Sequence, residues 1–560
     1  MVSPVALLLM TALAGVGFAF SVPPWSVFGL AWCSWIPLWW GVERGQGIGD
    51  REQGVGNRGM PALLPLLTRH SPRLTSPPLL GLVWGIGYYS ISLHWITGLH
   101  PLMWMGMSWS SSITIAGVAW LFLTLWNTTP IVLWMLGLSW GSARWQWTRS
   151  QKLAVGVALW CSLDWLWSHL PIYSGSLAIS QSPGNLWLLY GTRWFGSLGI
   201  SAAIVLVNGL LAYGLRATLQ TLQQTPNART WWSLALGTVL ILQVVGWGMG
   251  QVASGEWGSG EWGSGEWRSG KQTESSAPLT LGLIQGNIPT RIKLTPAGIQ
   301  QSLKVYRQGY EALAGLGVDA VLMPEGALPL VWEGSTRTQS SLYHSIRRLG
   351  VPAWISTFLS AEPQNSGLSQ SLIAVDGTGT VTSRYNKVKL VPFGEYIPLE
   401  KLLSKILRRL SLMEGSLVPG QPGQSFDTPW GTAAIGICYE PLFPQILREQ
   451  VQRGAAFILT ASNLDPYDTR LMAYQEALNV MRAIENDRWL VAISNTGYSS
   501  LINPLGQVLW RSSPHQLAIE PVQLYPRHTR TFYSQTGEGV LLGVLWVCVL
   551  ALYLGERVKF

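Results

Sequence analysis

The chain has 560 residues, of which 48% are hydrophobic and only 12% charged, and its mean hydropathy is +0.24. The length excludes a single compact core and the composition excludes an ordinary soluble protein, so part of the chain belongs in lipid. A net charge of +9 does not imply a nucleic-acid partner, because the basic residues fall mostly in short loops between apolar runs, as membrane topology requires.

Apolar runs long enough to approach or cross a hydrocarbon core of ~30 Å lie at 4–21, 25–42, 79–99, 109–140, 152–170, 194–215 and 231–250, with one more at 539–555. The run at 109–140 is interrupted by Asn127-Thr128-Thr129-Pro130. It reads as a single long kinked span, since neighbouring helices can satisfy the groups a proline frees; two short spans are the alternative. The first run lacks a basic flank and another span follows within a few residues, so it reads as a retained helix, not a cleaved signal peptide.

With seven spans ahead of the polar region, loops of one parity hold Arg44, Arg51, Arg58, Arg69 and Arg73, then Arg144, Arg149 and Lys152, then Arg216 and Arg229. Arg557 and Lys559 follow the last span on that same side. Basic loops stay cytoplasmic, which places both termini inside and residues 251–538 outside. In a bacterial-type cell that means an inner-membrane protein with a periplasmic domain. Asp164 and His94 lie within apolar runs, where an ionisable group marks a bundle-facing or functional position. No paired interior charges and no inverted repeat argue for a transporter.

The expected organisation is a membrane domain over 1–250, a Gly/Ser/Trp linker over 251–278, an α/β domain over 279–515, a connector over 516–538, and a last transmembrane helix with a cytoplasmic tail over 539–560. In the linker, Ser-Gly-Glu-Trp recurs with period five. Its Gly and Ser predict a flexible tether, as for the Gly-rich loop at 45–59, with interfacial seating of Trp257, Trp262 and Trp267 as the alternative.

From residue 279 the texture changes to short β-branched runs alternating with helical patterns. Strands are expected at Leu279 to Gln285, Ala320 to Met323, Ala353 to Thr357, Ser371 to Val375, Thr432 to Cys438, Phe457 to Ala461 and Leu490 to Ser494. Helices are expected at 295–315, 338–348, 443–453 and 469–487.

Of four cysteines, Cys33, Cys161 and Cys548 fall in apolar stretches, leaving Cys438 as the lone thiol of the polar half. That set builds neither a disulfide framework nor a zinc cluster, so neither metal nor cofactor is expected. Three strand ends carry chemistry. Val321-Leu322-Met323-Pro324-Glu325-Gly326 delivers a carboxylate directly after an apolar strand. Tyr385-Asn386-Lys387-Val388-Lys389-Leu390-Val391-Pro392-Phe393-Gly394-Glu395-Tyr396 sets a lysine on an extended run. Gly436-Ile437-Cys438-Tyr439-Glu440 puts a thiol at the end of a buried-type strand. Taken singly, these read as a solvated turn residue, an exposed edge-strand charge and a small core hydrophobe.

Together they resemble the nitrilase (carbon-nitrogen hydrolase) superfamily, which carries Glu, Lys and Cys in that chain order. Flanking spans and the Lys387 to Tyr396 motif are similar to the apolipoprotein N-acyltransferase family. The resemblance implies an α-β-β-α sandwich joined to a multi-pass helical membrane domain. It implies Cys438 as nucleophile, Glu325 as general base and Lys387 as the cation that stabilises thiolate and oxyanion, helped by a backbone N–H after Cys438. Glu395, Glu440 and Tyr439 are expected to support them. Pro392, Phe393, Tyr396, Tyr439, Leu442 and Phe443 are candidates for shielding acyl chains, though a plain core role explains each equally.

The implied reaction moves an acyl chain from a phospholipid to Cys438, then to the N-terminal amine of a diacylglyceryl-cysteine lipoprotein, with the enzyme a monomer. The family usually shows Asn and then a Trp-Phe-Gly loop after the strand at 457–461. Here Ser462-Asn463-Leu464-Asp465-Pro466-Tyr467-Asp468 keeps only the Asn, so contacts carried by that loop do not transfer. Met481 to Asn486 and Ser494-Asn495-Thr496-Gly497 match again, and Arg482, Glu485 and Asn495 read as structural. The rivals are a membrane-tethered amidase, which would pass the acyl group to water, and a transporter with an outer ligand-binding domain.

Overall fold

The computed structural model describes residues 3–44, 75–220, 228–255, 277–361, 367–392, 394–396, 417–465 and 467–557. The Gly-rich loop at 45–59, the basic residues Arg51, Arg58, Arg69 and Arg73, the Trp repeat, Lys559 and Phe393 lie outside those residues. Two compact units emerge. One comprises Met1–Thr97, Thr114–Met249 and Glu538–Phe560, the other Gly98–Ile113 and Gly250–Gly537.

The first unit is helical: α1 (Pro4–Ala19), α2 (Ile36–Arg44), α3 (Pro77–Ser92), α4 (Trp109–Trp145), α5 (Arg149–His169), α6 (Thr192–Gln220), α7 (Ala228–Gly255) and a C-terminal helix, Gly539–Arg557. By length and composition, α4, α6 and α7 can each cross a bilayer, while α1 and the C-terminal helix are shorter and apolar. The stretch at 109–140 lies in one continuous helix despite Pro130. The stretch at 25–42, expected as a span, is instead a 3₁₀ turn at Phe28–Trp32 followed by α2. Pro37 near the start of α2 suits a helix beginning, not a helix interior. Asn208 on α6 satisfies the broken backbone, accepting from Trp35 N at 2.8 Å and donating to Ala31 O at 2.9 Å.

Two further expectations need correcting. Lys152, expected in a loop, lies buried on α5 and pairs with Glu43 at 2.8 Å, and Arg216 reaches the other oxygen of Glu43 at 3.1 Å. The unit therefore does hold an interior ion cluster, joining α2, α5 and α6. Asp164 is also partnered, accepting from Tyr173 Oη at 2.8 Å and Ser201 Oγ at 3.3 Å. Tryptophans pack edge to face at the centre, with Trp35 4.6–5.3 Å from Trp84, Trp134 and Trp160. This accounts for part of the tryptophan content by packing alone.

The second unit contains the expected α-β-β-α sandwich. One sheet has the order β12-β1-β2-β3-β4-β5, formed by β1 (Leu279–Gln285), β2 (Ala320–Leu322), β3 (Ala353–Ser360), β4 (Leu368–Val375), β5 (Val381–Asn386) and β12 (Ala518–Leu524). The other has the order β11-β10-β9-β8-β7-β6, formed by β6 (Phe426–Thr428), β7 (Gly431–Ile437), β8 (Phe457–Ser462), β9 (Leu490–Ser494), β10 (Ser500–Ile502) and β11 (Val508–Arg511). Strands β7, β8 and β9 run parallel, and strands buried on both faces read as the unbroken apolar runs seen in the sequence.

Between the sheets, Leu281, Leu283, Leu322, Trp354 and Leu372 pack with Ile435, Ile437, Phe457, Leu459 and Val491. Helices α8 (Pro296–Gly315) and α9 (Ser341–Leu349) cover the outer face of the first sheet through Tyr306, Tyr310, Leu313 and Ile346. Helices α10 (Pro444–Gln452) and α11 (Thr469–Asn486) lie along the second. The first sheet continues past the boundary drawn at 515, because β12 pairs with β1 from Ala518 to Leu524. Its Pro521 and its exposed Glu520 and Gln523 fit an edge strand and gave no apolar run to notice.

Candidate active site

Glu325, Lys387 and Cys438 each follow the end of a strand, and the fold brings the three ends together. Glu325 leaves β2 through Pro324-Glu325-Gly326. Gly326 has φ +59°, and its N–H donates to Ser356 Oγ at 3.1 Å. A left-handed residue there permits the sharp turn that aims Glu325 inward. Lys387 follows β5 and is fixed through both backbone groups, its N–H donating to Gln370 O and its carbonyl accepting from Gly420 N, each at 2.8 Å. Cys438 follows β7 with φ +52°, a strained conformation for a residue with a Cβ, and its N–H donates to Ala461 O at 2.8 Å.

The Lys387 side chain is wholly buried. Its Nζ donates to Glu325 Oε1 at 2.9 Å and to Glu395 Oε1 at 2.6 Å. The other oxygen of Glu325 accepts from Asn463 N at 2.8 Å, and the Cys438 thiol lies close enough to the same carboxylate to feel its charge. Glu395 is steadied in turn by Val391 N at 2.8 Å. One cation thus bridges two carboxylates, and the thiol faces one of them.

The electrostatics follow from this arrangement. Burial opposes the charge on Lys387, but Glu325 and Glu395 outweigh it and hold the ammonium well above its ordinary pKa. Burial, then the negative charge of Glu325, push the Cys438 thiol well above its usual range. Burial also raises Glu395 against the pull of Lys387. The resting thiol is therefore protonated, and a reaction through sulfur needs a base at the moment of attack.

Glu440 was expected to orient Lys387 and its loop. The structure shows contact with main chain on both sides of the site. Fully buried, its Oε1 accepts from Val388 N at 2.6 Å, Lys389 N at 3.1 Å and Tyr385 Oη at 3.1 Å, and its Oε2 accepts from Ile437 N at 2.7 Å. It ties the lysine run to the cysteine turn. Burial pushes its carboxyl up to about 7 against the main-chain N–H bonds. Glu440→Gln must turn an NH₂ toward at least one buried N–H, which costs about 1–3 kcal/mol. A matching fall in thermal stability is expected, and an unchanged melting curve would contradict the clamp.

The remaining candidates are more dispersed. Phe443 is buried, stacks edge-on with Tyr439 at 5.0 Å and carries Lys389 Nζ 4.7 Å above its ring. Leu442, Pro392, Tyr396 and Tyr439 are half-buried. Arg482 pairs with Glu485 inside α11. Asn495 holds the loop after β1, donating to Ile288 O at 2.7 Å and accepting from Ile288 N at 3.1 Å. Sequence reasoning missed two contributors, the Asn463 main chain and Lys293, whose Nζ donates to Glu325 O at 3.1 Å. Among the described residues, no group of His, Cys, Asp and Glu could hold a metal.

A carbon-nitrogen hydrolase family model matches residues 280–524, and a model of the apolipoprotein N-acyltransferase N-terminal domain matches 58–210. An apolipoprotein N-acyltransferase of Thermosynechococcus vestitus is 37% identical over 96% of this chain and 94% of its own length. One of Synechocystis is 37% identical over 85% and 90%, and one of Nostoc is 35% identical over 92% and 93%. Among solved structures, a mutant amidase from Nesterenkonia sp. AN1 aligns at 22% identity and TM-score 0.36, covering 47% of this chain and 95% of that one. Nit3 of Saccharomyces cerevisiae, from the nitrilase superfamily, aligns at 17% and 0.35, over 44% and 90%.

Proposed function

The chain belongs to the apolipoprotein N-acyltransferase family, and from that premise we propose that it acylates the N-terminal amine of lipoproteins through a thioester on Cys438, with a phospholipid as donor. It is an acyltransferase. The observation that carries the residue assignment is the shared carboxylate: Glu325 holds the Lys387 ammonium on one side and receives the Cys438 thiol on the other.

In the first half-reaction, the thiol proton passes to Glu325 as sulfur attacks the ester carbonyl of the phospholipid. Lys387 sits beside the developing oxyanion. Because the N–H of Cys438 is committed to Ala461 O, the backbone donor to that oxyanion is the N–H of Tyr439, the next residue. Collapse expels the glycerol oxygen, which takes its proton from Glu325 and leaves as lysophospholipid. In the second half-reaction, the free amine of a diacylglyceryl-cysteine attacks the thioester. Glu325 accepts the amine proton and the thiolate leaves, regaining a proton. Pro392, Tyr396, Tyr439 and Leu442, all half-buried, supply apolar surface along the lysine and cysteine loops for shielding the chains from water.

Two lipid substrates explain why such a fold should be held by apolar helices at a bilayer. The distribution of Lys and Arg supports an inner-membrane protein with its α/β domain in the periplasm. The test is to incubate the purified full-length protein with phosphatidylethanolamine and phosphatidylglycerol vesicles bearing labelled acyl chains, then examine the Cys438 peptide by mass spectrometry. A hydroxylamine-sensitive acyl adduct is expected, and a diacylglyceryl-cysteine peptide should discharge it as an amide. An unmodified Cys438, or release only as free fatty acid as from an amidase, would refute the reading.

A further inference from the structure

Lys293 is a buried cation with no part in the reaction as described above. It closes the short helical turn Thr290–Lys293 after β1 and is 4% exposed. Its Nζ donates to the main-chain carbonyl of Glu325 at 3.1 Å, directly behind the turn from which the carboxylate projects. A Cβ on Gly326 would lie 3.5 Å from that nitrogen, so the ammonium packs against the whole turn.

The lysine is held there by a second network. Thr290 N donates to Asp465 Oδ2 at 2.7 Å, Thr290 Oγ1 donates to Asp465 O at 3.1 Å, and Asn463 Nδ2 donates to Thr290 Oγ1 at 3.1 Å. Asn463 in turn donates its main-chain N–H to Glu325. The Thr290–Lys293 turn and the loop after β8 therefore grip Glu325 from both ends.

Charge balance gives the lysine its purpose. Lys387 must serve Glu325 and Glu395 together, so one positive charge faces two carboxylates in a buried pocket. A second cation beside the turn eases that imbalance. We propose that Lys293 is a positioning residue for acyl transfer, whose ammonium fixes the Glu325 turn and offsets the excess negative charge around it, so that the carboxylate is set to receive the Cys438 proton. The inference rests on the general-base reading of Glu325. The charges facing Lys293 are Glu325 from the turn after β2 and Asp465 from the loop after β8. Those facing Cys438 beside Glu325 are Lys387 and Glu395, with Tyr467 close by. Burial pulls Lys293 down to about 8, so its charge is present at neutral pH and is lost as pH rises through that value.

Two variants separate charge from hydrogen bonding. Lys293→Gln keeps a donor for the Glu325 carbonyl and removes the charge, while Lys293→Arg keeps both. The readout is alkylation of Cys438 by iodoacetamide across pH 5 to 8 in the full-length solubilised protein, measured on the Cys438 peptide. The Gln variant should react about tenfold more slowly at pH 6, with its acidic limb displaced upward by about one pH unit, and Arg should restore the wild-type limb. An unmoved limb in Gln, an Arg variant that matches Gln, or loss of folding in both would overturn the proposal. Alkylation needs no acyl donor, so a displaced limb in a protein that never forms the thioester would defeat the acyl-enzyme reading and leave this one standing.

Discussion

Glu325→Gln is expected to slow acylation of Cys438 by about 10³-fold while leaving the protein folded, a loss within the range of about 10² to 10⁴ for a general base. The thiol is pushed well above its usual pKa by burial and by Glu325 itself, so almost no thiolate exists at neutral pH. An amide cannot accept the proton, and the reaction must then wait for hydroxide. The variant should therefore regain rate steadily from pH 7 to pH 9, whereas the wild type should not. The same change removes a negative charge beside the sulfur, which makes the thiol easier to ionise and assists that recovery. Single-turnover measurement of the acyl adduct across this range decides the matter. A variant within tenfold of wild type at pH 7, or one with no upward slope, would remove Glu325 from its role.

The strand ends that carry Glu325 and Cys438 were legible because both follow apolar runs long enough to identify as buried strands, and a thiol or carboxylate after such a run is conspicuous. Lys387 was visible only through its motif, since β5 reads Val-Thr-Ser-Arg-Tyr-Asn, a largely polar run with half-buried and exposed residues alternating before the buried Tyr385 and Asn386. The bridge from Lys387 to Glu395 lay within that motif, but its two-carboxylate geometry depends on the turn at Val391, which residue spacing does not reveal. Lys293 was hidden in Thr290-Arg291-Ile292-Lys293, where two basic residues at a short helical end look like solvated charge. Burial of one and exposure of the other is decided by the loop after β8, which lies far away in sequence. The same holds in the helical unit, where Lys152 and Arg216 looked like loop charges until packing joined them to Glu43. β12 escaped notice because an edge strand does not need an apolar run on both faces.

The second large effect concerns Lys387. Lys387→Met removes the one ammonium bonded to both Glu325 and Glu395 and leaves two buried carboxylates without the cation that joins them. Breaking a buried pair by deleting one partner costs about 3–5 kcal/mol. In the wild type, the Lys387 pKa is raised, so its contribution is complete below the unfolded lysine value and is lost only as pH rises through a still higher folded value. It is therefore constant from pH 5 to pH 8. In the Met variant nothing opposes the burial that already raises the Glu395 carboxyl, so the variant is best off at low pH and loses stability as pH rises. The stability gap between wild type and variant should accordingly be widest at pH 8 and narrow toward pH 5. Adding Glu395→Gln to the Met variant should recover part of the stability, because one buried charge is gone, but none of the acylation, because no cation remains for the oxyanion. Denaturant or thermal unfolding of the solubilised protein at several pH values, alongside acyl-adduct formation, measures both effects. A gap independent of pH would mean that Lys387 fills space and does not balance charge, and acylation by the double variant would remove it from the chemistry.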